Sequence, residues 1–163
     1  MKIFLKFIIF SFASVFFSHA QSEITSKKLD GNWTALARQA DPFDKTQLKI
    51  TILYKDNFIF KCDEILMQKE TGIFQSWSLN SEIKYIIDEQ LVVSKSGKYT
   101  SGIGGTDIVN DSVYYSTKLS RVELESFKNG KILKFAGRVG SQGWTTKELQ
   151  LNGFSKAYDL MCS

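Results

Sequence analysis

The sequence predicts an all-β fold: a single antiparallel β-barrel or closed sandwich of about 8–10 strands with little helix. Three observations carry this. Apolar residues recur with period two in short runs, turn chemistry separates the runs every 8 to 18 residues or so, and no long helical stripe interrupts them. The 163-residue chain holds one Pro and 11 Gly and shows no composition break, which fits one domain over residues 21–163.

Along the chain, Leu48, Ile50, Ile52 and Tyr54 alternate with polar neighbours, so residues 47–54 read as a half-buried strand. Lys55-Asp56-Asn57 is turn chemistry and Phe58 to Cys62 resumes the pairing. A second hairpin runs from Ile65 to Gln68, turns at Glu70-Thr71-Gly72 and returns through Ile73, Gln75, Trp77 and Leu79. Strands follow at 83–87 and 91–94, split by Asp88-Glu89-Gln90, and then at 113–116, 132–138 and 144–151. Residues 120–129 allow two readings. Ser120-Arg121-Val122-Glu123 has the form of a helix capping box, whereas Val122 and Leu124 alternate with Glu123 and Glu125 ahead of an Asn129-Gly130 turn. The alternation favours a strand.

Residues 1–20 have the layout of a secretory signal: Lys2 and Lys6, an apolar run from Phe7 to Phe17, and Ser18-His19-Ala20 before polar Gln21. The run is too short for a membrane span, which needs roughly 20 apolar residues. Cleavage near Ala20 would send a periplasmic or secreted protein out of the cell. It would also remove the only His and leave 19 basic against 17 acidic residues. Without imidazole, Ser/His/Asp or Cys/His catalysis and His-ligated metal are excluded, and a net charge of +2 with three Arg gives no nucleic-acid patch. Neither a cofactor nor a metal site is expected, and an enzyme would have to work with carboxylates alone. Asp63-Glu64, Asp88-Glu89, and Asp107 with Asp111 are the notable groups, none at a diagnostic spacing. Outside the reducing cytosol, Cys62 and Cys162 are expected to pair. A catalytic or metal-bound thiol would want a Cys-x-x-Cys spacing or a nearby His, and has neither.

Two short segments resemble known families. Gly31-Asn32-Trp33 is similar to the Gly-x-Trp signature of lipocalins and their calycin relatives. That resemblance implies a barrel whose floor is closed by Gly31 and Trp33, a basic partner for the Trp from Arg138 or Lys147, and a small apolar ligand inside. Phe60-Lys61-Cys62-Asp63-Glu64, followed by Ser94-Lys95-Ser96-Gly97-Lys98-Tyr99 and by Val113-Tyr114-Tyr115-Ser116-Thr117-Lys118, resembles the bacterial periplasmic inhibitors of c-type lysozyme. Here the Ser-Gly loop is one residue shorter and Leu119 stands where that family has Gly. The resemblance implies a partner-binding surface of Ser94, Ser96, Gly97, Lys98, Tyr99 and Lys118, with Lys95 alongside. A glycosidase cleft holds a carboxylate pair, and a loop bearing hydroxyls and a cation can plug it. Read from composition alone, the same Ser-Gly segment is an ordinary polar hairpin. Ser101-Gly102-Ile103-Gly104-Gly105-Thr106 lacks the Lys-Ser/Thr ending of a phosphate loop and reads as a flexible loop, and residues 97–107 are a candidate binding surface.

The expectation is therefore a non-enzymatic, exported protein-binding module without a membrane span. It would be an inhibitor or immunity protein directed at a cell-wall hydrolase or toxin, the alternative being a lipocalin-like carrier of a small apolar ligand.

Overall fold

The computed structural model describes residues 24–41, 44–71, 78–90, 92–101 and 112–162. The leader, Pro42, Trp77, the glycine-rich segment from Gly102 to Thr106, Asp107 and Asp111 lie outside the described residues. The strands are β1 (Ile24–Lys28), β2 (Thr34–Asp41), β3 (Asp44–Lys55), β4 (Phe58–Lys61), β5 (Glu64–Thr71), β6 (Ser78–Ile87), β7 (Val93–Ser101), β8 (Ser112–Lys118), β9 (Ile132–Arg138) and β10 (Thr145–Gln150). A 3-10 turn at Asp30–Asn32 precedes β2, and two helices, α1 (Arg121–Asn129) and α2 (Phe154–Cys162), sit before β9 and after β10. No helix among the described residues is long and apolar enough to cross a membrane.

All ten strands form one antiparallel sheet in the order β1-β2-β3-β4-β5-β8-β7-β6-β9-β10. The all-β prediction holds, but the ladder is not closed by hydrogen bonds, since β1 and β10 stand at opposite ends of that order. The sheet curls instead. Phe58 on β4 and Phe135 on β9, five positions apart in the order, bring their rings to 6.1 Å edge to face. Its two ends are joined by side chains: Trp33 Nε1 donates to the Asn152 carbonyl at 2.8 Å, and Lys55 Nζ donates to the Gln150 carbonyl and Asn152 Oδ1, both at 2.7 Å.

Period-two alternation explains which side chains turn inward. On β6 these are Ile83, Tyr85 and Ile87, and on β9 Leu133 and Phe135. β4 is buried on both faces: Phe58 and Phe60 enter the main core, while Ile59 joins Leu36, Ile52, Leu66 and Tyr114 in a second buried cluster on the other face. The interior is aromatic, with Phe60 ring centroids 5.7 Å from Trp33, 5.8 Å from Phe127 and 4.7 Å from Phe154. Burying one such ring contributes about 2–3 kcal/mol.

Four sequence expectations are corrected. The expected second hairpin does not form between β5 and β6: β5 pairs with β8, and β6 pairs with β7 and β9. Residues 121–129 form a helix, because the capping box is made: Ser120 Oγ accepts from the Glu123 N–H and Glu123 Oε2 accepts from the Ser120 N–H. A strand would have buried Val122, which is instead 78% exposed, and the one buried residue of α1 is Phe127. A second helix, α2, was not foreseen, although Phe154, Ala157, Tyr158 and Met161 carry the i, i+3, i+4, i+7 spacing and all four are buried. Finally, Ser94 to Tyr99 is not a loop or hairpin turn. It lies inside β7, and the turn occurs earlier, where Asp88 and Glu89 adopt positive φ.

The paired cysteines behave as expected. Cys62, after β4, and Cys162, at the end of α2, form a disulfide with Cα atoms 5.5 Å apart. The Tyr158 hydroxyl donates to the Cys62 carbonyl alongside it.

A groove between two splayed strands

β7 and β8 pair from Ser101↔Val113 to Lys98↔Ser116 and then separate. Gly97 lies at the point of separation. A Cβ there would sit 2.4 Å from the Ser116 carbonyl oxygen and 2.5 Å from Ile83 Cγ1, so only glycine allows the two backbones this approach. Beyond it, side chains replace the ladder: Thr117 Oγ1 donates to the Ser96 carbonyl at 3.0 Å, and Lys95 Nζ donates to the Lys118 carbonyl at 2.5 Å. The result is a groove of about 780 Å³ with Lys95, Ser96, Gly97, Lys98, Thr117 and Lys118 on its walls.

The structure thus gathers Ser96, Gly97, Lys98 and Lys118 from two strands into one groove. Ser94 points outward on the same row of β7, two residues beyond, and is exposed. Tyr99 faces the other way. It is buried, with its ring 4.7 Å from that of Tyr115, so it supports the groove from the core and offers no surface to a partner. Lys98 Nζ donates to Asn80 Oδ1 at 2.8 Å. Lys118 pairs with Asp63 at 2.7 Å, and this contact pulls the Asp63 carboxyl below its ordinary value and raises the Lys118 ammonium above its own.

Glu123 was not foreseen as a site residue; the capping-box motif was its only trace in the sequence. It reaches from α1 to the groove, accepts from both Tyr85 OH and the Ser120 N–H, and forms an ion pair with Lys95 at 2.9 Å. Burial pushes its carboxyl up, but the hydrogen bonds from Tyr85, Lys95 and Ser120 outweigh that and bring it down to about 2. Burial, reinforced by the hydrogen bond to Glu123, raises the Tyr85 phenol far above its usual range. A carboxylate held this low stays ionised at neutral pH and fixes Lys95 in place; it has no proton to give as a general acid. Among the described residues, no group of three or more His, Cys, Asp and Glu side chains is placed to hold a metal ion. Of the carboxylates noted in the sequence, Glu64 pairs with Lys61 at 3.5 Å, and Asp88 accepts the backbone N–H groups of Lys131 and Ile132.

At the opposite corner, Gly31 (φ +70°) and fully buried Trp33 do sit where the two ends of the sheet meet. A Cβ on Gly31 would fall 1.9 Å from the Asn152 carbonyl oxygen. The cation over Trp33 is Lys55, 5.3 Å from the ring centroid, in place of the expected Arg138 or Lys147. Arg138 stacks on Trp144 instead, and Lys147 is half-buried on β10. Lys55 itself is only 7% exposed, and burial lowers its ammonium from the ordinary value against the opposing pull of Asp56. Long range hides this pairing from the sequence, since Lys55 and Asn152 lie 97 residues apart.

No family model matches the chain, and no curated protein matches it. Among solved structures it is similar to invasion associated protein b from Bartonella henselae, with 13% identity, a TM-score of 0.44, and coverage of 84% of this chain and 95% of that one.

Proposed function

We propose that this chain is an exported, non-enzymatic protein-binding module that blocks a cell-wall-degrading enzyme, as an inhibitor or an immunity protein does. The observation that supports it is the groove itself: Ser96, Gly97 and Lys98 of β7 and Lys118 of β8 stand together on one rim. The rim is preorganised. Gly97 fixes the approach of β7 to β8, Glu123 holds Lys95, and the disulfide ties the neighbouring β4–β5 turn, whose Asp63 carbonyl accepts the Leu119 N–H, to α2. A rim ordered before binding loses less entropy on binding. Lys95 and Lys118 are neutralised by Glu123 and Asp63, whereas Lys98 rests on a neutral amide and is the cation a partner's carboxylate would meet. Such a carboxylate is what the cleft of a glycosidase presents.

The carrier reading has less support. A lipocalin-like protein needs an open interior, and here Phe58, Phe60, Phe127, Phe135 and Phe154 pack ring on ring across it.

The test is an inhibition assay. The purified protein is added to a c-type lysozyme and to a panel of glycosidases and amidases acting on cell-wall suspensions. Inhibition of at least one enzyme is expected, weakened about tenfold or more in S96A/K98A and less in K118A, whose ammonium is already paired. Absence of inhibition across the panel, or inhibition indifferent to both variants, refutes the proposal.

A further inference from the structure

The outer face of the sheet continues beyond the groove, and its charges do not cancel. Register sets Lys98 beside Asn80, Ser96 beside Glu82 and Ser94 beside Lys84, and places Glu82 beside Arg138 and Lys84 beside Ala136 on the next strand. The outward residues of β6, β7, β9 and β10 include four cations, Lys84, Lys98, Lys134 and Arg138, and two anions, Glu82 and Glu148. Both anions are already engaged: Glu82 with Arg138 at 2.7 Å and Glu148 with Lys134 at 3.6 Å. Lys84 and Lys98 have no ion-pair partner among the described residues. Lys84 lies instead on the Trp144 ring, its Nζ 5.0 Å from the centroid, and the Arg138 guanidinium is 4.6 Å from the same ring. Trp144 is 37% exposed, and a Cβ added at Gly143 before it meets nothing within 4 Å. The middle of the face is low, carrying Ser94, Ser96 and Ala136.

We propose that this face, from Lys98 across to Trp144, is a docking surface for a protein partner that presents two carboxylates to Lys84 and Lys98 and packs an apolar contact on Trp144. The inference rests on the reading of the groove rim as a protein-binding site and widens that site across three more strands. Charge complementarity selects the partner chemistry. Two surplus cations, four residues apart along the register and so roughly 14 Å from each other, suit a pair of acidic side chains on a folded surface. They are far fewer than the roughly six to ten phosphate contacts of a typical nucleic-acid complex. A half-exposed Trp braced by Arg combines two of the residue types most enriched in protein–protein hot spots.

The test maps binding on the whole protein by amide and indole NMR shifts, with poly-L-glutamate as the acidic-protein probe and dextran sulfate as the polysaccharide comparator. Poly-L-glutamate is expected to shift the Trp144 indole N–H and the amides of Lys84, Ser94, Ser96 and Lys98. K84E/K98E should weaken binding about tenfold or more and W144A several-fold, whereas K27E/K28E, the same charge change on β1, should alter it less than twofold. K84Q/K98Q removes the charges while keeping polar side chains and should lose several-fold without disturbing the fold. The proposal is overturned if shifts are absent or scattered, if K27E/K28E matches K84E/K98E, or if dextran sulfate takes the same residues more tightly. Shifts confined to the groove residues Ser96 and Lys118 would sink the extended surface and leave hydrolase blocking standing. A responsive face on a protein that inhibits no enzyme would do the reverse.

Discussion

A Glu123→Gln substitution removes one charge from the place where α1, β6 and β7 meet. The carboxylate accepts from Tyr85 OH, from Lys95 Nζ at 2.9 and 3.0 Å, and from the Ser120 N–H at 2.6 Å. These donors prevail over burial and hold the group at about 2 against an ordinary 4.5. At about 1.4 kcal/mol per pH unit, the difference is worth about 3–4 kcal/mol at most. The side chain is 17% exposed, so water at the groove mouth screens part of it, and about 2 kcal/mol is the expected loss at neutral pH. The sign follows from proton counting. The folded carboxyl titrates below the unfolded one, so the unfolded chain binds the extra proton and the stabilisation is complete above about pH 4.5. It fades as the pH falls through about 2. Glutamine does not titrate and has no such term.

Urea unfolding of wild type and E123Q at about pH 7, 5, 3 and 2 checks this. The stability gap should be constant from about pH 7 to 5 and shrink steadily below that. A gap under about 0.5 kcal/mol at neutral pH, or one that persists undiminished near pH 2, would refute the reasoning. A second readout separates the groove from the fold. Lys95 loses its anchor in E123Q, so the variant should inhibit less well even at temperatures where it is fully folded.

Other perturbations probe the remaining supports. Removing the disulfide with C62S/C162S frees a loop closed over a sequence separation of 100 residues. The chain-entropy limit is about 4.7 kcal/mol, and a loss of about 2–4 kcal/mol by chemical denaturation is expected, reproduced by treating wild type with a dithiol reductant. Lys55→Met removes the donor shared by the Gln150 carbonyl and Asn152 Oδ1 in a part-buried contact that water can reach, so it should cost about 1–2 kcal/mol in the same assay. Gly153→Ala meets both a positive φ of +77° and the Asp30 carbonyl oxygen 2.4 Å from the new Cβ. It should lower stability by about 2 kcal/mol or more, visible as a fall in melting temperature.

What the sequence shows of this fold depends on how local each cause is. The strands at 83–87 and 132–138 follow from period-two alternation, because each buries one face against the main core, whereas 47–54, 58–61, 64–71 and 113–118 turn residues into both buried clusters and show as apolar runs. β7 was misread because serine and glycine are turn residues by composition. Yet Ser94, Ser96 and Lys98 alternate outward there, and Gly97 is required for close approach, a long-range cause that composition cannot carry. α1 shows its capping box and almost no apolar stripe; its place depends on Phe127 reaching Phe60, Tyr85 and Phe154. α2 did show its stripe, in a helix of only nine residues. For the site, the motif brought Ser96, Gly97, Lys98 and Lys118 into view, whereas Glu123 and Asn80 enter through contacts made only after folding.

The splay between β7 and β8 is itself the strongest structural argument for binding. Separating two central strands leaves backbone groups without the partners a sheet normally gives them. This chain supplies specific side chains in their place: Thr117 Oγ1 serves the Ser96 carbonyl and Lys95 serves that of Lys118. Lys95 in turn requires Glu123, and Glu123 requires both the start of α1 and the Tyr85 hydroxyl. An irregularity of no use would not need three elements to hold it open. The sheet also protects its other exposed backbone. β10 turns a half-buried Lys147 inward at one edge and β1 carries Lys27 and Lys28 at the other, charges that discourage strand addition there. Edges guarded against indiscriminate pairing, beside a central opening held apart by dedicated groups, are what the proposed partner-binding role would require.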